Sequence, residues 1–110
     1  MQTVIDAISD PRRREILRLV RHRELPAGQI AARFDVTRPT ISQHLTVLRN
    51  AGLVGDRRDG ARRLYRARPE GLAELQSFLD MMWGETFERL KAAIEQDQEG
   101  GPNAGAAKRN

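Results

Sequence analysis

A chain of 110 residues with 39% apolar side chains can bury one hydrophobic core, so a single domain is expected, with no room for a second. Absence of cysteine removes disulfides, thiolate metal sites and a Cys nucleophile; with no apolar run long enough to span a bilayer and no charged-then-apolar leader, a soluble cytoplasmic protein without a membrane partner is expected. The net charge of +4 hides a segregation: between Arg12 and Arg68, 15 arginines face five acids, whereas from Glu70 to Glu99 eight acids face only Arg89 and Lys91, the pattern of a chain with one part turned to a polyanion.

Val4, Ile5 and Ile8 form a short apolar helix at the N-terminus, too small to fold without packing on something else. Asp10-Pro11 is the next start signal, Asp as N-cap and Pro at the first helical position. The helix that follows, to about His22, places Ile16, Leu17 and Val20 inward and its arginines outward. A third helix is expected from Leu25 to Phe34, with Pro26 in its first turn and Ile30, Ala31 and Phe34 buried; Asp35-Val36 then turns the chain.

The next helix, from Arg38 to Ala51, is the most informative. Thr37 is a natural N-cap, Pro39 falls in the first turn where a missing N–H costs nothing, and Gly52 suits the left-handed conformation that ends a helix. Ile41, Leu45 and Leu48 lie four and three apart and share one face. The other face is Thr40, Ser42, Gln43, His44, Thr46 and Arg49, a surface suited to hydrogen bonding.

Two short runs, Leu53 to Arg58 and Ala61 to Ala67, flank Asp59-Gly60, which fits a tight hairpin turn, and Arg57, Arg58, Arg62 and Arg63 crowd around it. Helices ending in a polar-faced helix, followed by a basic hairpin, make a winged helix-turn-helix: mainly α with a small β-hairpin, about five helices and a two-stranded wing. Pro69 opens a last helix to about Gln98, carrying Leu72, Leu75, Leu79, Met82, Thr86 and Leu90 at steps of three and four, widened by Phe78, Trp83, Phe87 and Ile94. At roughly 28 residues it is about 42 Å long, more than a core of this size can cover. A second copy of the same helix is the simplest cover for the rest. Residues 99–110 have no periodicity and are expected to be disordered.

Three motifs together give a family resemblance: I-S-D-P-R-R-R-E-I-L-R-L-V at 8–20, T-R-P-T-I-S-Q-H-L-T-V-L-R-N-A-G-L-V at 37–54, and R-R-D-G-A-R-R-L-Y-R at 57–66. Over roughly residues 4–95 the chain resembles the ArsR family of winged-helix repressors. The resemblance implies a homodimer joined through its N- and C-terminal helices, at Val4, Ile5, Ile8, Leu75, Phe78, Leu79, Met82, Trp83, Thr86, Phe87 and Leu90. It also implies that helix 38–51 enters the major groove of a near-palindromic operator, and that an inducer or partner protein releases the promoter. The metal sensors of that family carry cysteines where Pro26 and Gly28 stand here, or His and carboxylate ligands on the last helix, where residues 70–98 contain no His. No metal or other cofactor is therefore expected, and the aromatic last helix looks more like the metal-independent, autorepressing subgroup.

On chemical grounds Thr40, Gln43 and His44 form the groove-facing set, Gln43 able to bond adenine bidentately, while Thr40 and Ser42 meet a base or a phosphate. Thr37, Arg38, Pro39, Thr46 and Arg49 lie around them, Thr37, Arg38 and Arg49 nearer the DNA backbone. The four wing arginines either contact phosphates or enter a narrow minor groove, and Tyr65 either meets a phosphate or packs on the sheet. An enzyme is not expected: there is no Gly-rich phosphate loop or paired carboxylate, and Ser42 and His44, two apart on a helix, point in different directions. The rival readings are a derepressor answering to a metal or small ligand, and a winged helix that binds protein or RNA.

Overall fold

The computed structural model describes residues 1–99. Along them run α1 (Gln2–Ile8), α2 (Pro11–Leu19), β1 (Leu25–Pro26), α3 (Ala27–Ala31), α4 (Arg38–Asn50), β2 (Val54–Asp59), β3 (Arg62–Ala67), a 3-10 turn (Pro69–Leu72) and α5 (Ala73–Glu99). The expectation for residues 100–110 lies outside the described residues.

Local chemistry accounts for most of these boundaries. The Asp10 carboxylate accepts from the N–H groups of Arg12 and Arg13 at 2.7 and 3.2 Å, capping α2. Partial burial alone would raise its pKa, but those two N–H groups and the nearby His44 and Arg13 outweigh it and hold the carboxyl below its ordinary value. Thr37 caps α4 through the Thr40 N–H, with Pro39 in the first turn. At the other end of α4, Gly52 takes φ +78°, its N–H bonds the Arg49 carbonyl, and the Leu53 N–H reaches back to Leu48, a Schellman closure.

Three expectations need correction. The third helix is only Ala27–Ala31, because Leu25 and Pro26 pair with Tyr65 and Leu64 instead, making the wing the larger part of a three-stranded antiparallel sheet of order β1-β3-β2. The second helix stops at Leu19 rather than His22, because the Val20 carbonyl accepts the Ala67 N–H of β3 at 3.0 Å. In the hairpin, Asp59 still pairs with Arg62, so the loop residues are Gly60 and Ala61; Gly60 has φ +65° and, among the described residues, no non-glycine residue has positive φ, the pattern of a type II′ turn.

Residues Met1–Leu75 form one compact unit. Its core is built from Ile16 and Val20 of α2, Ile30 of α3, Ile41, Leu45 and Leu48 of α4, and Leu53 and Val54 beyond it, all nearly or wholly buried. Val4 and Ala7 of α1 close one side. Gly71 sits against the backbone of Gly52, so closely that a Cβ there would overlap the Gly52 carbonyl oxygen. Residues 76–99 are a second unit, the remainder of α5, on which Phe78, Leu79, Met81, Met82, Trp83, Phe87, Leu90 and Ile94 are all exposed.

Gly71 and Gly84 set up a contrast. Gly71→Ala is expected to destabilise the fold by about 1–3 kcal/mol, since backbone rather than a flexible side chain must give way. Gly84→Ala on α5, where the nearest atom is Asp80 Cβ at 3.8 Å, should be neutral or stabilising by up to about 1 kcal/mol. Urea unfolding of both variants checks the pair, and equal midpoints would contradict the close approach at Gly71.

Candidate nucleic-acid interface

Burying Ile41, Leu45 and Leu48 fixes which side of α4 faces out. On that side Ser42 and Gln43 are exposed and make no side-chain hydrogen bond among the described residues, so both keep their full donor and acceptor capacity. Thr37 and Thr40 share a hydroxyl–hydroxyl bond of 2.9 Å, and Thr46 donates its proton to the Ser42 carbonyl at 3.0 Å. These hydroxyls retain acceptor lone pairs. An open groove of about 510 Å³ runs over Ser42, Gln43, Thr46 and Val47, with Arg13 and His44 along one edge.

Two of those residues were not expected from sequence. Val47 lies one helical turn beyond Gln43 and offers methyl groups suited to thymine; the four-residue spacing could have revealed it. Arg13 departs from the expectation that the arginines of the second helix point outward. It is half-buried, its guanidinium turned to the carbonyls of Asp6 and Ala7 and to the His44 ring. His44, expected among the groove-facing set, lines the groove but is half-buried.

The wing arginines are not equivalent. Arg57 lies against Glu24 through two bonds of 2.6 and 2.8 Å; Arg57 holds the Glu24 carboxyl below its ordinary range, and Glu24 in turn raises the guanidinium. The pair therefore persists at neutral pH and opens only as acid titrates Glu24 below the usual carboxylate range. Arg63 pairs with Asp56 at 2.9 Å, and Arg49 of α4 reaches the same Asp56 oxygen at 3.5 Å. With its side chain only 14% exposed, Asp56 ties the end of α4 to the wing. Arg62 has a loose contact with Asp59 at 3.8 Å, and Arg58 makes no ion pair among the described residues.

Arg62 and Arg63 join Arg38 and Ser42 around a cleft of about 270 Å³ between the wing and the start of α4. With Arg63 committed to Asp56, Arg38 and Arg62 are the two guanidiniums at this polar opening that suit an anion such as a phosphate. Pro39 and Arg38 are exposed beside it, and Tyr65, also on its wall, is half-buried against the core. Of the residues expected at a shared surface, Ile5 is exposed and Ile8 half-buried, whereas Val4 is a correction: it turns inward to its own core and is only 8% exposed. Leu75 packs partly on that core as well. Among the described residues no group of three or more His, Asp and Glu is placed to hold a metal ion.

A family model described as the bacterial regulatory protein, arsR family, matches residues 10–55, from the cap of α2 into β2. The HTH-type transcriptional regulator Rv2034 of Mycobacterium tuberculosis is 46% identical over 77 residues, 70% of this chain and 72% of that protein. The transcriptional repressor SdpR of Bacillus subtilis is 45% identical over 60 residues, 54% of this chain and 67% of that one. Among solved structures, the homodimeric winged helix-turn-helix DNA-binding domain Mb0332 of Mycobacterium bovis, a possible ArsR-family regulator, superposes with a TM-score of 0.60 at 32% identity, covering 76% of this chain and 78% of that one.

The Asp56 clamp predicts a salt effect. In an Asp56→Asn variant two guanidiniums lose their acid, so affinity for random-sequence duplex should rise at low salt and the log K against log salt slope should steepen by about one to two. Titration by fluorescence anisotropy at several salt concentrations checks this; an unchanged slope would mean that Arg49 and Arg63 already reach phosphate in the parent protein.

Proposed function

The chain belongs to the ArsR family of bacterial regulatory proteins, and from that footing we propose that it is a cytoplasmic, dimeric transcriptional repressor that binds a near-palindromic DNA site. The observation that carries the reading is the joint surface of α4 and the wing. An unpaired amide at Gln43 and a free hydroxyl at Ser42 stand beside a cleft ringed by Arg38, Arg62 and Arg63. Base edges are read from the first group and phosphates are held by Arg38 and Arg62, Arg63 being tied to Asp56. The N-terminal half of α4 lies in the major groove, Thr37, Thr40 and Thr46 meeting bases or backbone around Gln43, and Arg58 and Arg62 reach the backbone or the adjoining minor groove.

Dimerisation supplies the second half-site. Phe78, Leu79, Met82, Trp83, Thr86, Phe87 and Leu90 are exposed along α5 as a mostly apolar stripe of the kind that marks an interaction site, and the homodimeric state of the similar Mycobacterium bovis domain supports pairing through it. Two copies then present their α4 helices one helical turn of DNA apart, about 34–36 Å. Release from DNA is proposed to follow a signal other than a thiolate-bound metal, because the chain has no cysteine.

Binding to fragments of the source genome, selected on the immobilised protein and sequenced, tests the reading directly. Gln43→Ala should weaken the cognate site by about 1–3 kcal/mol and leave random DNA nearly unaffected; equal losses on both would remove Gln43 from base reading. Phe87→Glu should shift the protein to monomers in sedimentation and abolish tight operator binding together with it. A variant that stays dimeric at micromolar concentration would place the interface elsewhere.

A further inference from the structure

The guanidinium of Arg13 makes three contacts that lie on two different helices. Its Nε donates to the Ala7 carbonyl at 2.7 Å and one Nη to the Asp6 carbonyl at 3.0 Å, the latter already accepting from the N–H and the hydroxyl of Ser9, so the guanidinium joins the cap that closes the last turn of α1. The other Nη lies 3.2 Å from His44 Nδ1 on α4. A guanidinium has five donors and no acceptor. The contact therefore requires a lone pair on Nδ1 and leaves the ring proton on Nε2. That Nε2 has no hydrogen-bond partner among the described residues, and His44 lines the same groove as Gln43, Thr46 and Val47.

Resting on the reading of α4 as the groove-entering helix, we propose that Arg13 is a positioning residue for base recognition. By fixing the His44 tautomer it makes His44 a donor, so that His44 selects a base-edge acceptor (a purine N7, guanine O6 or thymine O4) and disfavours the amino groups of cytosine and adenine. A histidine free to switch tautomers would offer a donor or an acceptor to suit the base it met. Arg13 removes that choice before DNA arrives. Because the same guanidinium caps α1, His44 can present its donor only while the end of α1 stays in place.

The test has two arms. In free protein labelled with 15N at histidine, long-range proton–nitrogen spectra should show His44 in the Nε2–H form, persisting in Arg13→Lys, which keeps a cationic donor without an acceptor, and giving way to a mixture in Arg13→Met. In the second arm, every base pair of the half-site is replaced in turn. One position should show discrimination that His44→Ala abolishes, that Arg13→Met reduces roughly tenfold and that Arg13→Lys retains. A His44 that carries its proton on Nδ1 in the parent protein overturns the proposal regardless of any DNA result. So does an Arg13→Met variant that weakens all sequences equally while keeping the discrimination, since that is the mark of a purely structural arginine. A parent protein that discriminates no sequence at all would instead defeat the reading of α4 itself, and the proposal with it.

Discussion

Everything at the outer surface of the Met1–Leu75 unit depends on the burial of three side chains of one helix. Ile41 and Leu48 are wholly buried and Leu45 almost so, and together they lose enough water-exposed area to fix the rotation of α4 about its axis. Once that rotation is set, Gln43, Ser42 and Thr46 have no direction left but outward. A surface that reads hydrogen-bond patterns needs its donors and acceptors held to within a fraction of an ångström. Here the rigidity comes from apolar packing behind the helix, and the side chains of Ser42 and Gln43 are left uncommitted.

The charges follow a different logic. The acids of this half of the chain sit where they restrain particular arginines: Glu24 holds Arg57, Asp56 holds Arg63 and Arg49, and Asp59 lies near Arg62. The basic region is thus partly neutralised by its own carboxylates, which lowers indiscriminate attraction to any polyanion and orders side chains that otherwise carry a large conformational entropy. Arg38, Arg58 and Arg62 keep most of their charge for an outside partner. Within a single hairpin, then, some guanidiniums are tied to acids and others are left available, and only the pairing pattern tells them apart.

That division explains which features were legible in the sequence. The caps at Asp10 and Thr37, the closure at Gly52 and the seam of α4 are local, written in residues three or four apart, and their positions agree with the structure. The hairpin was legible for the same reason, although the turn falls one residue later because Asp59 can still pair across to Arg62. What could not be read were contacts between distant segments. The pairing of Leu25-Pro26 with β3 shortens α3, and the approach of Arg13 to a ring 31 positions further on takes an arginine out of the solvent-facing set. Neither leaves a periodic trace, since each depends on how separate elements meet.

One feature of the α4 and wing surface reaches beyond recognition. Every cation there is a guanidinium; the two lysines of the chain, Lys91 and Lys108, lie far along the sequence from it. Guanidinium groups stay protonated through the whole range in which proteins remain folded. Acyl transfer to amines, the commonest covalent means of erasing positive charge, finds no acceptor on that surface. The positive charge of that surface is therefore closed to amine acylation, and how much of it faces outward is set by the acids paired to it, Glu24, Asp56 and Asp59.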